Sequence, residues 1–303
     1  MLTYQHIGRN KAESWALIFI FLVIIIALGF VFSQVYNNPG ILAFAVIFSV
    51  GSALISYYYS DSITLALSRA QQVDRQANPE LYNIVENLSI TAGLPTPKIY
   101  IIEDTAPNAF ATGRDPKHAV ICFTTGILQK LDRAELEGVA AHELSHIGNY
   151  DIRLSTLVVV LVGIVALLAD WFLRASFFGA RRRSNDRNGN AGSILLLVGI
   201  ALAILSPIIA TFIKLAVSRK REYLADASGA LLTRYPEGLA RALEKISRDT
   251  EPLEAANKAT AHLYIVNPLK EHQGKTSVGW FAGLFNTHPP IEERVKRLRE
   301  MNL

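Results

Sequence analysis

Two apolar runs lie almost back to back near the start of this chain, and they restrict its fold more than any other feature. Trp15 to Phe32 is eighteen residues without a charge, and Ile41 to Tyr59 follows after one short connection. As a helix, each comes close to the roughly 30 Å hydrocarbon thickness of a bilayer. One such run would also suit a soluble core, but two in succession leave too little polar sequence nearby to cover them. The connection, Ser33 to Gly40, has no charge and ends in Asn-Asn-Pro-Gly, a strong turn signal. The pair is therefore expected to form a transmembrane hairpin. The first run is too long for a cleaved signal peptide and lacks a small-x-small site at its end. Arg9 and Lys11 precede the hairpin, and Arg69 and Arg75 follow it. The positive-inside tendency then puts both ends, and the domain that follows, in the cytoplasm.

Two more apolar runs come later. Leu157 to Leu173 is broken only by Asp170, and Ile194 to Ile213 carries a kink signal at Ser206-Pro207 before it stops at Lys214. Residues 174–193 between them hold five arginines and one aspartate. If both runs cross, that basic linker lies outside, against the positive-inside tendency. If it stays inside, the runs form a hairpin that dips into the membrane or lies on it. Two spans are the expectation, and either course returns the chain to the side it left. The fold class expected is a mainly α-helical membrane protein with four hydrophobic helices in two hairpins. Residues 1–14 form a head, 15–59 the first hairpin and 157–213 the second, while 60–156 and 214–303 are two pieces of one polar domain.

Composition narrows the class. Half of the 303 residues are apolar, and the formal charge of +4 is modest. Contact with anionic membrane lipid accounts for that charge, and no nucleic-acid motif accompanies it. A single cysteine, Cys122, excludes an intrachain disulfide framework and a cysteine-rich metal site.

In the polar domain, residues 60–95 read as amphipathic helix, with Pro79 near a helix start and Leu81, Ile84, Val85 and Leu88 on one face. Lys98 to Ile102, Ala109 to Gly113 and His118 to Thr124 read as strands, so the domain is α+β. Asp132 and Glu135 have capping-box spacing and open a helix that runs to about Asn149. Further helices are expected over Pro236 to Ser247 and from Ile291 to about Met301.

The helix opened by Asp132 contains His142-Glu143-Leu144-Ser145-His146. One turn separates the two histidines, so both imidazoles leave the same face and can share one ion. Glu143 can reach a water held by that ion and act as general base, which is a zinc-hydrolase signature. A hydrolytic site needs a third protein ligand and one open position. A histidine six residues after His146 is excluded, because Ile152 stands there. Glu222 on a later helix fits, and Asp226, one turn on, can accept from the other nitrogen of a zinc histidine. On spacing alone a second reading stays open, in which both acids only offset Arg219, Lys220 and Arg221.

Asn108-Ala109-Phe110-Ala111-Thr112 can supply an exposed strand edge that pairs with an extended substrate, or equally an ordinary sheet strand. Asn108 itself reads better as a turn residue. His288 can donate to a tetrahedral oxyanion, and Arg294 can fix it or a ligand carboxylate; a plain helix-start histidine is the competing reading of His288. His6, His118, His262 and His272 have no paired ligand in the sequence and look ordinary.

Arg219-x-Arg221-Glu222-Tyr223-x-Ala225-Asp226, downstream of His-Glu-x-x-His and a hydrophobic hairpin, resembles the HtpX family of bacterial inner-membrane zinc endopeptidases. These are M48 peptidases related to the CAAX prenyl proteases. The resemblance spans the whole chain, including Asn108 to Gly113 and Thr287-His288-Pro289-Pro290 followed by Arg294. It implies a zincin-like catalytic domain facing the cytoplasm and one Zn2+ per subunit on His142, His146 and Glu222. Glu143 is then catalytic, and His288 and Arg294 contact the site. It also implies a stress-response role, cutting misfolded or damaged membrane proteins at cytoplasm-exposed segments. A non-catalytic zinc-stabilised chaperone would leave Glu143 without a task. A prenyl-protein processing peptidase would be expected to have more spans. The sequence leaves the oligomeric state open.

Overall fold

The computed structural model describes residues 2–35, 37–182, 218–256, 260–266 and 289–301. The fourth apolar run, the linker from residue 183, Ser206-Pro207 and His288 lie outside the described residues.

Helix α1 (Leu2–Val35) and helix α2 (Pro39–Leu67) form the expected hairpin. Asn38 caps α2 by accepting from Gly40 N, and Pro39 supplies the first-turn φ. Both helices are long and apolar enough to cross a membrane. Leu17, Phe21 and Ile25 are buried on one side of α1, while Phe19, Val23 and Phe30 are exposed; on α2, Phe44, Ile47 and Leu54 are exposed. Such a surface suits lipid. The polar head is no separate element, because α1 begins at Leu2 and runs through it without a break.

The reading of residues 60–95 as one helix is corrected. α2 continues to Leu67, Arg69 adopts φ of 51°, and strand β1 (Gln71–Gln72) interrupts before helix α3 (Pro79–Ala92). β1 owes its place to pairing with strand β2 (Lys98–Ile102), a partner that local periodicity cannot reveal. Strand β3 (Ala109–Gly113) and strand β4 (Ala119–Thr124) complete a sheet of order β1-β2-β4-β3. β2 and β4 run parallel, while β3 is antiparallel to β4 and forms the sheet's edge.

Helix α4 (Thr125–Lys130) leads to helix α5 (Arg133–Gly148), which opens with the Asp132–Glu135 capping box. Helix α6 (Asp151–Arg182) departs from α5 at 82°, with Tyr150 at the corner in left-handed conformation, φ 61°. Helix α7 (Arg219–Thr233), helix α8 (Pro236–Arg248) and helix α9 (Ile291–Arg299) close the domain.

α5 is the central element, clasped by α7 and α8 through two glycines. A Cβ at Gly229 would stand 2.9 Å from the His142 backbone nitrogen, and one at Gly138 would stand 2.6 Å from Leu239 N. Neither approach leaves room for a side chain. Val139, Ala140, Leu243, Ile246 and Ile121 fill the core around this contact.

Candidate metal centre

The capping box and apolar packing of α5 place His142, Glu143 and His146 where that helix faces α7 and β3. His142 and Glu143 are 1% and 2% exposed. α7 brings Glu222 to the same point: ligand atoms of His142, His146 and Glu222 all lie within 4.8 Å of one another. His146 Nε2 is 3.2 Å from His142 Nε2 and 3.5 Å from Glu222 Oε1, while His142 Nε2 is 4.0 Å from Glu222 Oε2.

Each imidazole has a carboxylate at its far nitrogen. Asp226 Oδ1 lies 3.0 Å from His142 Nδ1, an approach short of full hydrogen-bond alignment, and Asp151 Oδ2 lies 2.9 Å from His146 Nδ1. Such partners place the proton on Nδ1 and turn the Nε2 lone pair inward. Two lone pairs and a carboxylate then face each other in a buried space, a repulsive set unless a cation is shared. These residues fit a metal ion.

Without the ion, a proton relieves part of that repulsion. Burial opposes charge on His146, but its hydrogen bond to Asp151 and the nearby Glu222 lift its pKa to about 9. Burial keeps His142 below the ordinary histidine value against the pull of Asp226. Burial, with Glu222 adding to it, raises Glu143 to about 7.

Arg294 is fully buried and serves the carboxylates. Its Nε and Nη2 hold Asp226 Oδ2 and Oδ1 at 2.8 and 2.7 Å, Nη1 donates to the Ile265 carbonyl at 3.1 Å, and Nη1 lies 3.6 Å from Glu222 Oε2. Of its two expected roles, the geometry shows the fixing of carboxylates, and Nη2 also lies 3.5 Å from His142 Nε2. The Arg294 guanidinium holds Asp226 at about 2 despite burial.

β3 runs beside this group. The Ala109 carbonyl accepts from Ile265 N at 3.0 Å and Gly113 N donates to Thr156 Oγ1 at 3.3 Å, so alternate residues turn away from β4. Ala111, between them, turns its amide to Glu143 and lines the cavity. The other four residues of the Asn108 to Thr112 stretch are placed differently. Phe110 and Thr112 are 0% exposed, Ala109 lies in the core, and the Asn108 side chain is engaged with the backbone of Val266. His262 lines the cavity too, with Nε2 3.2 Å from the Ser155 carbonyl. No spacing in the sequence links it to a ligand, so its place at the cavity comes from the fold alone. His118, by contrast, pairs with Asp115 at 2.8 Å on the surface.

The arrangement belongs to the metallopeptidases whose third ligand is a glutamate on a later helix. Comparison with known proteins goes further: the profile of peptidase family M48 matches residues 75–302, and the chain belongs to that family. A protease HtpX homologue of Dictyoglomus thermophilum is 48% identical over 98% of this chain and 94% of its own length. Another, of Tropheryma whipplei strain Twist, is 45% identical over 99% of both. The crystal structure of S. mikatae Ste24p superposes with a TM-score of 0.50 at 18% identity, covering 98% of this chain and 66% of that one, a likeness of fold. With its two apolar helices, the chain is a membrane-bound metallopeptidase.

Proposed function

We propose that the metal is zinc, one ion per chain, and that the chain is an endopeptidase of the bacterial inner membrane. Its clients are unfolded or damaged membrane proteins, cut where they emerge on the cytoplasmic side as part of the stress response. The observation that carries the reading is Glu143, buried beside the three-ligand cluster and under the Ala111 edge. Two imidazoles and one carboxylate are a zinc donor set that leaves a position open. When bound, the ion supplies the Lewis acidity that polarises a peptide carbonyl and makes water nucleophilic near neutral pH.

The chain's own groups do the rest. An extended client segment meets the β3 edge at Ala111, which lines the cavity, and this sets its carbonyl over the cluster. Glu143 takes a proton from the attacking water and hands it to the leaving amine. Burial lifts Glu143 toward the pH at which it works, and the ion's charge lowers it again. In the loaded enzyme kcat/KM therefore falls as pH drops through a pKa below about 7, the value without the ion.

The test is cleavage of an unfolded, membrane-anchored reporter in detergent, wild type against Glu143→Gln, with zinc measured on both. Cleavage lost with zinc retained is the expected result. Equal cleavage by both would remove Glu143 from the mechanism. A zinc-loaded wild type that cuts no unfolded substrate would overturn the peptidase reading in favour of a structural metal.

A further inference from the structure

The head of α1 is built into the metal centre. Asn10, Ser14 and Leu17 fall on one helix face and are 3%, 1% and 1% exposed, so the face that packs within the membrane hairpin continues past its polar end. Asn10 Nδ2 donates to the Asn149 carbonyl at 2.9 Å and to Asp151 Oδ1 at 2.5 Å. The other oxygen of Asp151 is the one that faces His146 Nδ1 at 2.9 Å. On its opposite side, Asn10 Oδ1 accepts from Arg221 Nη1 at 3.1 Å, and the same nitrogen reaches Glu13 Oε2 at 3.0 Å. Arg221 immediately precedes Glu222.

One asparagine thus grips the α5–α6 corner beside one ligand and the α7 turn that carries another. Only a side chain that donates at one atom and accepts at the other satisfies both neighbours, a carboxylate and a guanidinium. Aspartate at this position would repel Asp151, and alanine would withdraw its donor. Lys11 strengthens the same contact, its Nζ lying 4.2 Å from the centre of the Tyr150 ring at the corner.

We propose that Asn10 is a positioning residue of the metal centre. By fixing Asp151 it holds His146 with Nε2 toward the ion, and through Arg221 it holds the turn bearing Glu222. The membrane anchor is then a structural part of the site as well as a tether. The inference rests on the metallopeptidase reading above.

The experiment uses the full chain in detergent, stripped of metal and titrated with zinc against a competing chelator, alongside thermal unfolding of the metal-free forms. Asn10→Ala is expected to weaken zinc binding about 10- to 100-fold, the range for outer partners of metal ligands. Asp151→Ala is expected to do the same, and the double variant to fall short of the product of the two single effects, because one acts through the other. Gly8→Ala, on the same head with open space around it, is expected to bind as wild type does. Zinc affinity unchanged in Asn10→Ala would overturn the proposal, with or without a lower midpoint in the metal-free form. Single effects that multiply in full would also overturn it. A wild type that holds no zinc would overturn the zinc assignment and this inference together, whereas a wild type that binds while Asn10→Ala binds equally overturns the inference alone.

Discussion

The two metal-facing histidines are held by the same kind of partner in opposite ways. On the inner flank, His142 is 1% exposed, and its carboxylate, Asp226, is gripped at 2.7 and 2.8 Å by a fully buried arginine. On the outer flank, the His146 side chain is 14% exposed, and its carboxylate, Asp151, is held by the neutral amide of Asn10, with Arg221 Nε no nearer than 3.9 Å. The two carboxylates are equally buried, at 4% exposed each, so the difference lies in the neighbouring charge. Asp226 sits beside Glu222, and two buried carboxylates leave net charge that a guanidinium offsets. Asp151 faces His146 through one oxygen and takes the Asn10 amide on the other. The inner flank therefore resists change through charge, the outer flank through a contact made by the membrane helix.

The largest effect tests the inner flank. Arg294→Met strands two buried carboxylates and is expected to cost about 3–5 kcal/mol in denaturant unfolding, the range for breaking a buried pair. A loss under about 1 kcal/mol would mean that charge is not what holds this side.

pH separates the flanks by sign. Asp226 has its folded pKa lowered from 3.8 to about 2, so its contribution is present above about pH 4 and lost as pH falls toward 2. His146 in the metal-free protein is raised from 6.5 to about 9, so its contribution is complete below about pH 6.5 and lost as pH rises through 9. The shifts correspond to roughly 2.5 kcal/mol for Asp226 and roughly 3.5 kcal/mol for His146. Thermal midpoints of the metal-free protein are thus expected to fall at both ends. Saturating zinc, which takes the place of the His146 proton, should abolish the alkaline loss and leave the acid one; an alkaline loss that survives zinc would refute the outer assignment.

The smallest effect compares the carboxylates directly. Asp226→Asn and Asp151→Asn keep shape and remove charge, and each should weaken zinc by about 10- to 100-fold in chelator competition. Asp226→Asn should also lower stability more than Asp151→Asn does, because it removes the nearer of the two carboxylates that Arg294 serves. Equal stability losses in the two variants would erase the distinction between flanks.

What could be read from the sequence follows the range of the forces involved. His142, Glu143 and His146 sit within one helix turn, so spacing alone placed them together. The Asp132–Glu135 capping box and the strands at Lys98–Ile102 and Ala109–Gly113 are likewise local, and the structure has them at those residues. Glu222 and Asp226 needed a chemical requirement, a missing third ligand, to pick them out. Asn10 carried no signal at all: its partner Asp151 is 141 residues away, and an asparagine in a polar head looks like any solvated residue. The break between α2 and α3 was hidden for a similar reason, since Gln71 and Gln72 become a strand only by meeting Ile101 and Tyr100.

The edge position of β3 has one more consequence. If clients align on its backbone as proposed, recognition there is nearly blind to side chains, since every residue but proline presents the same groups. Discrimination must then reside in the client, in how often a stretch of it comes loose as bare extended chain. For a protein whose loosening and reclosing are fast, the rate of cutting tracks that opening equilibrium. A well-packed neighbour in the same bilayer would be spared by its own stability, and each kcal/mol it lost to damage would raise its turnover about fivefold.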